Sequence, residues 1–291
     1  MTPMQPRLFL RRHVPYPVRL QFRLFRRRAS DLRSRPRFAR AKGEPAAFLH
    51  TWAAYDRPWV DYAGQAEWSA GKRHNLGIMA EAISGSVIQP GEVFSLGRAM
   101  GRPSRRRGYQ VGAALKCGEL TSDIGGGVCL FSTLIYNLAL LSGMEIVERH
   151  AHSQDSYGAN RYFELGRDAA IEYGYLDLRF RNPHAVPLMM TVAVEPSRVS
   201  GAILGPKPCP FDVEIRAAKP EILPAPTLVL SDPSLLPGEE RVSRPGLPGL
   251  VVRATRTFNY ADGQSRTEDL PLTTHHPVAN VVHRGPPVRT E

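Results

Sequence analysis

Cysteine is scarce in this sequence: Cys117, Cys129 and Cys209 are the only three in 291 residues. So few thiols, odd in number and without a C-x-x-C spacing, exclude a disulfide framework and the common paired-cysteine zinc sites. Long apolar runs are also missing, because no stretch reaches 18 residues and no signal-peptide hydrophobic segment precedes Arg11 and Arg12. These absences predict a cytoplasmic protein without a membrane-spanning segment.

Acidic residues are nearly absent from the first 42 positions, where thirteen Arg and Lys residues accompany Asp31 alone. The whole chain has a net charge of +11, so the basicity belongs to an Arg-rich, proline-interrupted arm, residues 1–45. Two interpretations fit this arm: a solvated or partly docked tail, or a segment lying on an anionic membrane surface at the inner face. It lacks an aromatic platform or recognition helix, so specific nucleic-acid binding is not expected.

The remaining residues have the patterning of an α+β protein. Helical periodicity predicts helices at 75–84 and from Cys129 to about Leu141, and aromatic spacings of three or four between Phe48 and Trp68 predict a helix start followed by a loop. Short apolar runs separated by turns predict an antiparallel sheet packed on a buried central helix, with strands at 109–116, 144–149, 169–175, 178–181 and 187–194.

This patterning suggests four parts. The basic arm, residues 1–45, precedes an α+β domain at 46–204. Residues 205–249 hold many of the prolines and are predicted to be a connector with one strand at 211–216. A β-hairpin appendage at 250–285 is predicted around the turn Ala261–Gly263.

The stretch Gly125–Cys129 brings a thiol to the start of the apolar helix. Unpaired N–H groups and the positive end of the helix dipole stabilise a thiolate there, and glycine backbone can approach a substrate and hold an oxyanion. A buried structural cysteine behind a tight turn is the alternative. In the reactive interpretation, the glycine loop and a polar stripe along the helix line a substrate cleft, which involves Gly125, Gly126, Gly127, Val128, Ser132, Thr133 and Asn137.

The lengths of the helix and of the strand after it indicate which side chains lie near this thiol. A helix from Cys129 to Leu141 spans roughly 20 Å and a strand from Met144 to His150 returns roughly 20 Å. His150 and His152 then arrive near the thiol, and either one can act as its base. Asp168 is the first candidate to orient the imidazole, with Asp177 and Asp155 behind it, whereas zinc held by Cys129 and both histidines remains an alternative.

A series of motifs in this region occurs in the same order as in a known family. They are Asn75–Ser84, Pro90–Ser95, Gly108–Tyr109, Gly125–Cys129 with Ser132–Thr133 and Tyr136–Asn137, Glu148–Ser153, Gly166–Ala169 and Asp177–Asn182. The sequence thereby resembles the VanW family over about residues 70–195, and residues 250–285 loosely resemble a G5-type module. The resemblance implies a cell-envelope connection without a defined reaction. One departure is Leu130, where the family usually has Gln.

Two functional hypotheses follow. The first is a cysteine-dependent acyl-transfer or amide-hydrolysing domain, in a layout similar to papain and transglutaminase, acting on a peptidoglycan-related or other amide substrate. In it Cys129 is the nucleophile, His152 or His150 the base, and Asp168 the orienting carboxylate. The second is a non-catalytic binding module for an envelope polymer or a membrane-associated partner. Neither hypothesis requires a cofactor or a metal ion.

Overall fold

A computed structural model describes residues 14–59, 66–116, 119–155 and 161–287, so Cys117 lies outside the described residues. Its helices are α1 (Tyr16–Ser34), α2 (Ala66–Ile83), α3 (Leu96–Met100) and α4 (Val128–Leu141). The strands before residue 206 are β1 (Ala41–Lys42), β2 (His50–Pro58), β3 (Ser86–Ile88), β4 (Val93–Ser95), β5 (Val111–Lys116), β6 (Glu119–Ile124), β7 (Glu145–Glu148), β8 (Arg179–Arg181), β9 (Leu188–Val194) and β10 (Arg198–Gly205).

A five-stranded antiparallel sheet, in the order β1-β3-β9-β10-β2, supports the main core. Helices α2 and α4 pack on it, α2 against β9 and α4 against β2 and β10. Successive side chains alternate between the two faces of a strand, so Leu188 and Met190 of β9 join the core under the helices. Met189 points the other way and packs with Phe48 and Val87. Helices and antiparallel sheets therefore confirm the α+β class.

Glycines set both ends of α4. Gly127 is its N-cap residue with a φ of 99°, and Gly143 follows its end with a φ of 71°. Both are left-handed conformations that residues with a Cβ avoid. Between them, the side chains from Leu130 to Leu140 are buried. The predicted helix is thus present, and the β5–β6 hairpin runs directly into its glycine entry.

The C-terminal part contains three further three-stranded sheets. Their strands are β11 (Phe211–Ala217), β12 (Glu221–Leu223), β13 (Thr227–Ser231), β14 (Glu240–Arg244), β15 (Gly249–Val252), β16 (Ala254–Tyr260), β17 (Ser265–Asp269), β18 (Thr273–His275) and β19 (Asn280–Arg284). The sheets have the orders β11-β16-β17, β12-β15-β18 and β13-β19-β14. The predicted hairpin corresponds to β16 and β17, whereas β15 pairs in a different sheet.

Three element predictions were wrong. Residues 205–249 are not a connector with one strand, because β12, β13 and β14 also form there; β13 and β14 are exposed along their length and show no alternation. Residues His50–Pro58 of the aromatic segment form strand β2 rather than a helix start, because they pair with β10 with one register shift between Ile203 and Leu204. Residues 169–175 form no strand, only an isolated bridge between Glu172 and Leu176.

The described part of the basic arm contains α1, which is docked on the body. Leu20 is 3% exposed, and Arg27 pairs with Glu148 at 2.8 Å. Asp31 of the same helix accepts from Arg179 at 2.6 Å. Among the helices that the structure describes, none has the length and apolar character needed to cross a membrane.

Candidate cysteine site

The glycine loop is packed too tightly for side chains. A Cβ on Gly126 would lie 2.4 Å from the backbone carbon of Gly112, and one on Gly125 would lie 2.6 Å from Pro103. The buried Asn75 side chain ties this loop to the β5 entry, donating to Gly126 O at 3.2 Å and accepting from Gln110 N–H at 2.8 Å. The loop therefore fixes the backbone that begins α4, and Cys129 occupies the second position of that helix, partly exposed.

His152 connects the thiol of Cys129 to Asp168. Its side chain is hydrogen-bonded to the Cys129 thiol. Its Nδ1 lies 2.7 Å from Asp168 Oδ2, and that same oxygen accepts the His152 backbone N–H at 2.7 Å. Nδ1 is thereby engaged by the carboxylate, and Nε2 lies 3.3 Å from the Tyr162 hydroxyl. The Phe163 ring stacks on the imidazole at 5.8 Å, so its plane is fixed as well.

Asp168 is fully buried and is held from two sides. Arg149, 2% exposed, donates from Nη2 to Oδ1 at 2.7 Å and from Nε to the Asp168 carbonyl at 2.7 Å. Arg149 Nη1 in turn donates to Thr273 Oγ1 of β18 at 2.8 Å. His275, also on β18, places Nδ1 3.0 Å from His152 O and Nε2 3.9 Å from Asp168 Oδ1. The C-terminal part thus contributes to the support of the carboxylate.

The polar stripe on α4 supports this same segment. Ser132, Thr133 and Asn137 are fully buried. Ser132 Oγ donates to Ala169 O, and Thr133 Oγ1 accepts from Ala169 N–H at 3.1 Å. Asn137 donates to Arg167 O at 3.0 Å. The prediction that these side chains line a cleft was wrong: their hydrogen bonds are used to hold the residues on either side of Asp168.

The electrostatics favour a thiolate–imidazolium pair. Burial alone raises the pKa of the Cys129 thiol, but the hydrogen bond and charge of His152 and an N–H donated by Ile171 outweigh it and lower the pKa. Burial alone lowers the pKa of His152, but Asp168 and Cys129 raise it well above its usual value. Burial opposes ionisation of Asp168 too, yet His152 and Arg149 hold its pKa at about 2. The pair titrates as a unit.

The other predicted partners lie elsewhere. His150 Nε2 is 3.1 Å from Glu148 Oε1, so the ring of His150 contacts the Glu148 carboxylate beside α1. Asp177 accepts from Ser95 Oγ at 2.6 Å, and Asp155 pairs with Arg161. Among the described residues, no group of three or more His, Cys, Asp or Glu side chains is placed to hold a metal ion, so the Cys129–His150–His152 zinc set is not formed.

Several supporting residues were missed from the sequence. Arg149 lies in the motif Glu148–Ser153, and its buried charge holds Asp168, a contact that the motif alone does not indicate. Thr273 and His275 lie more than 100 positions beyond Asp168, so spacing offered no signal for their contact with it. Leu130, the residue that stands where the family usually has Gln, packs in the hydrophobic core.

Comparison with known proteins matches two segments of the chain to family models. A family model described as "VanW like protein" matches residues 71–204, and a G5 domain model matches residues 214–287. The "Uncharacterized protein YoaR" of Bacillus subtilis (strain 168) is 33% identical over 119 residues, 41% of this chain and 38% of that protein. The "Vancomycin B-type resistance protein VanW" of Enterococcus faecalis (strain ATCC 700802 / V583) is 29% identical over 137 residues, 47% of this chain and 50% of that protein.

Two solved G5 structures are similar to a small part of the chain. The structure titled HP0197-G5 covers 26% of this chain and 97% of its own, at 24% identity and a TM-score of 0.19. An IgA1 protease G5 domain covers 27% and 94%, at 20% identity and a TM-score of 0.21. The chain spans half or less of the curated relatives' length. From these comparisons, residues 71–204 match the VanW family and residues 214–287 match the G5 domain.

Proposed function

We propose that this chain binds a cell-envelope polymer such as peptidoglycan through its G5 domain. Support comes from the G5 match and from a relative named as a vancomycin B-type resistance protein. The surface of the G5 domain fits such a role, because the sheet β13-β19-β14 leaves apolar side chains in water. Those of β13 are Leu228, Val229 and Leu230, which are 49%, 43% and 41% exposed. Leu228 and Leu230 are two residues apart and share one face of the strand, and exposed apolar side chains on one face are typical of interaction sites.

Co-sedimentation of the full chain with purified peptidoglycan tests this binding. Leu228→Ser with Leu230→Ser is expected to weaken it at least tenfold, because both side chains lie on the exposed sheet. Leu272→Ser is the matched control, since Leu272 is similarly exposed, at 52%, but lies outside that sheet. Equal sedimentation of both variants, or none by the unaltered chain, would remove the proposal.

A second candidate function is cysteine-dependent acyl transfer or amide hydrolysis, in a papain- or transglutaminase-like arrangement. The observation that favours it is the hydrogen-bonded series Cys129, His152 and Asp168 at the start of α4. A nucleophile, a base and an orienting carboxylate in this order are the requirement for an activated thiol.

The chemistry proceeds in two steps. The Cys129 thiolate attacks an amide carbonyl carbon, forming a C–S bond while the carbonyl electron pair moves to oxygen. The first intrahelical bond of α4 is donated by Phe131 to Gly127 O, so the N–H groups of residues 128–130 precede it and are available to that oxygen. The C–N bond then breaks, and the His152 imidazolium gives its proton to the leaving amine. Water or an amine, deprotonated by His152, then cleaves the thioester.

Alkylation of the two described cysteines tests this proposal within one molecule. Cys209 is an internal control, because burial raises the pKa of its thiol, which donates to Phe211 O at 3.1 Å. With iodoacetamide and peptide-resolved mass spectrometry, Cys129 is expected to react at lower pH than Cys209. In His152→Ala its rate at neutral pH should fall at least tenfold, because burial remains while the stabilising charge is lost. A Cys129 profile that matches that of Cys209, or is unchanged in the variant, would contradict it.

A further inference from the structure

Helix α1 has two opposite faces with different surroundings. Its inner face is fixed to the body: Leu20 is buried, Arg23 pairs with Glu172 at 2.8 Å, and Arg27 pairs with Glu148. Leu20, Leu24, Arg27 and Asp31 recur every three or four residues, so they lie on one side of the helix. The orientation of the helix is therefore set by the body.

The opposite side carries an apolar stripe in water. This outer stripe consists of Val18, Phe22, Phe25 and Leu32, which are 56%, 61%, 69% and 76% exposed. Their spacings of four, three and seven residues keep them on one line, and Ala29 fills the remaining position. Such a stripe usually faces a core, but here the core lies behind the helix.

Arginines border the outer stripe on both sides. Arg19, Arg26 and Arg33 follow one edge at intervals of seven residues, and Arg28 lies on the other. Arg26, Arg28 and Arg33 are exposed, and each described arginine of the inner face already has an acidic partner. An apolar line between cationic borders is the pattern of a helix that lies in the surface of an anionic bilayer.

A second copy of the chain is a poorer occupant of the stripe. Two such helices could align their stripes in the manner of a coiled coil, since the spacing is that of a and d heptad positions. The bordering positions would then be e and g, where this helix has Arg19, Arg26, Arg28 and Arg33. Like charges at these positions repel each other across a homodimer.

We infer that the outer stripe of α1 and its bordering arginines seat this protein on an anionic lipid bilayer. The stripe enters the headgroup and acyl boundary, and the arginines contact the lipid phosphates. Because the inner face of α1 is ion-paired to the segments around Glu148 and Asp177, the body is held at a fixed orientation to the membrane. This inference is independent of the chemistry of Cys129.

Vesicle co-sedimentation of the full chain tests the inference. The unaltered protein is expected to bind vesicles of phosphatidylcholine with phosphatidylglycerol, not phosphatidylcholine alone, and to be released by salt. Phe22→Ser with Phe25→Ser should weaken binding at least tenfold, and each of Arg26→Gln, Arg28→Gln and Arg33→Gln about fivefold. Ile222→Ser with Leu236→Ser is the matched control, because these exposed apolar residues lie far along the chain in the G5 domain.

Two kinds of result would contradict the bilayer inference. Equal binding by the phenylalanine variant and the control, or equal binding to neutral vesicles, would refute the bilayer assignment. If light scattering shows a dimer that only the phenylalanine variant dissociates, a second copy occupies the stripe instead. Circular dichroism and thermal melts of each variant verify that α1 and the body stay folded, so a loss of binding is attributable to the surface.

Discussion

Replacing Asp168 by Asn tests how much the buried carboxylate stabilises the fold. The Asp168 pKa is held at about 2 in the folded chain, against an ordinary value of about 3.8. At about 1.4 kcal/mol per pKa unit, this difference corresponds to about 2 kcal/mol of stability. Since the folded pKa is the lower one, the contribution is complete above about pH 4 and is lost as the pH falls toward 2.

The substitution also leaves a charge unpaired. Arg149 is 2% exposed, and Asp168 is the carboxylate that its Nη2 contacts. Removing one partner of a buried ion pair typically costs about 3–5 kcal/mol. Asp168→Asn is therefore expected to lower the free energy of unfolding at neutral pH by about that amount, and to flatten its decline between about pH 5 and pH 2.

Urea unfolding at a series of pH values measures both effects. Glu148→Gln is the control, because the pKa of Glu148 is also held at about 2. The groups that lower it are His150, Arg27 and Arg179, which differ from those that lower the pKa of Asp168. Each variant should remove its own part of the acid dependence, and only Asp168→Asn should alter Cys129 alkylation. An Asp168→Asn protein with unchanged stability and an unchanged acid limb would refute the reasoning.

Further expected outcomes concern the loop and the supports of the site. Gly126→Ala should destabilise the fold by about 3 kcal/mol or more in urea unfolding, because its Cβ would meet the Gly112 backbone, and near-normal stability would contradict this packing. Thr273→Val should cost about 1–3 kcal/mol, because Arg149 Nη1 loses its acceptor, whereas Thr274→Val serves as the neighbouring control. His150→Ala should leave the pH profile of thiol alkylation unchanged, since the His150 ring contacts Glu148. A shifted profile would show that His150 interacts with the thiol.

Local patterns predicted the part of the site that depends on local chain geometry. The entry to α4 follows from glycine, because only residues without a Cβ adopt the conformations of Gly125 and Gly127 without strain. The meeting of Cys129 and His152 followed from matched element lengths. The element lengths do not distinguish His150 from His152. Strand β7 ends at Glu148, so the two histidines do not lie on one face of a continuing strand.

Contacts between residues far apart in the sequence determine the features that local patterns did not predict. Strand β2 has aromatic residues at helical spacings, yet it is a strand because β10 pairs with it along its length, with one register shift between Ile203 and Leu204. The polar side chains from Ser132 to Asn137 have the pattern of a cleft wall. Their actual role could not be predicted, because it depends on the position of residues 167–169, to which they are hydrogen-bonded. Strands β13 and β14 have neither alternation nor burial, so periodicity carries no information about them.

The contact of β18 with Asp168 has a consequence for biosynthesis. Thr273 and His275 lie more than 100 residues beyond Asp168 in the sequence, but they complete the surroundings of its carboxylate. Because synthesis proceeds from the N-terminus, a nascent chain can form α4 and place the thiol before these two residues exist. The surroundings of Cys129 are therefore incomplete until β18 has been synthesised, and a chain truncated before β18 contains the thiol without Thr273 and His275.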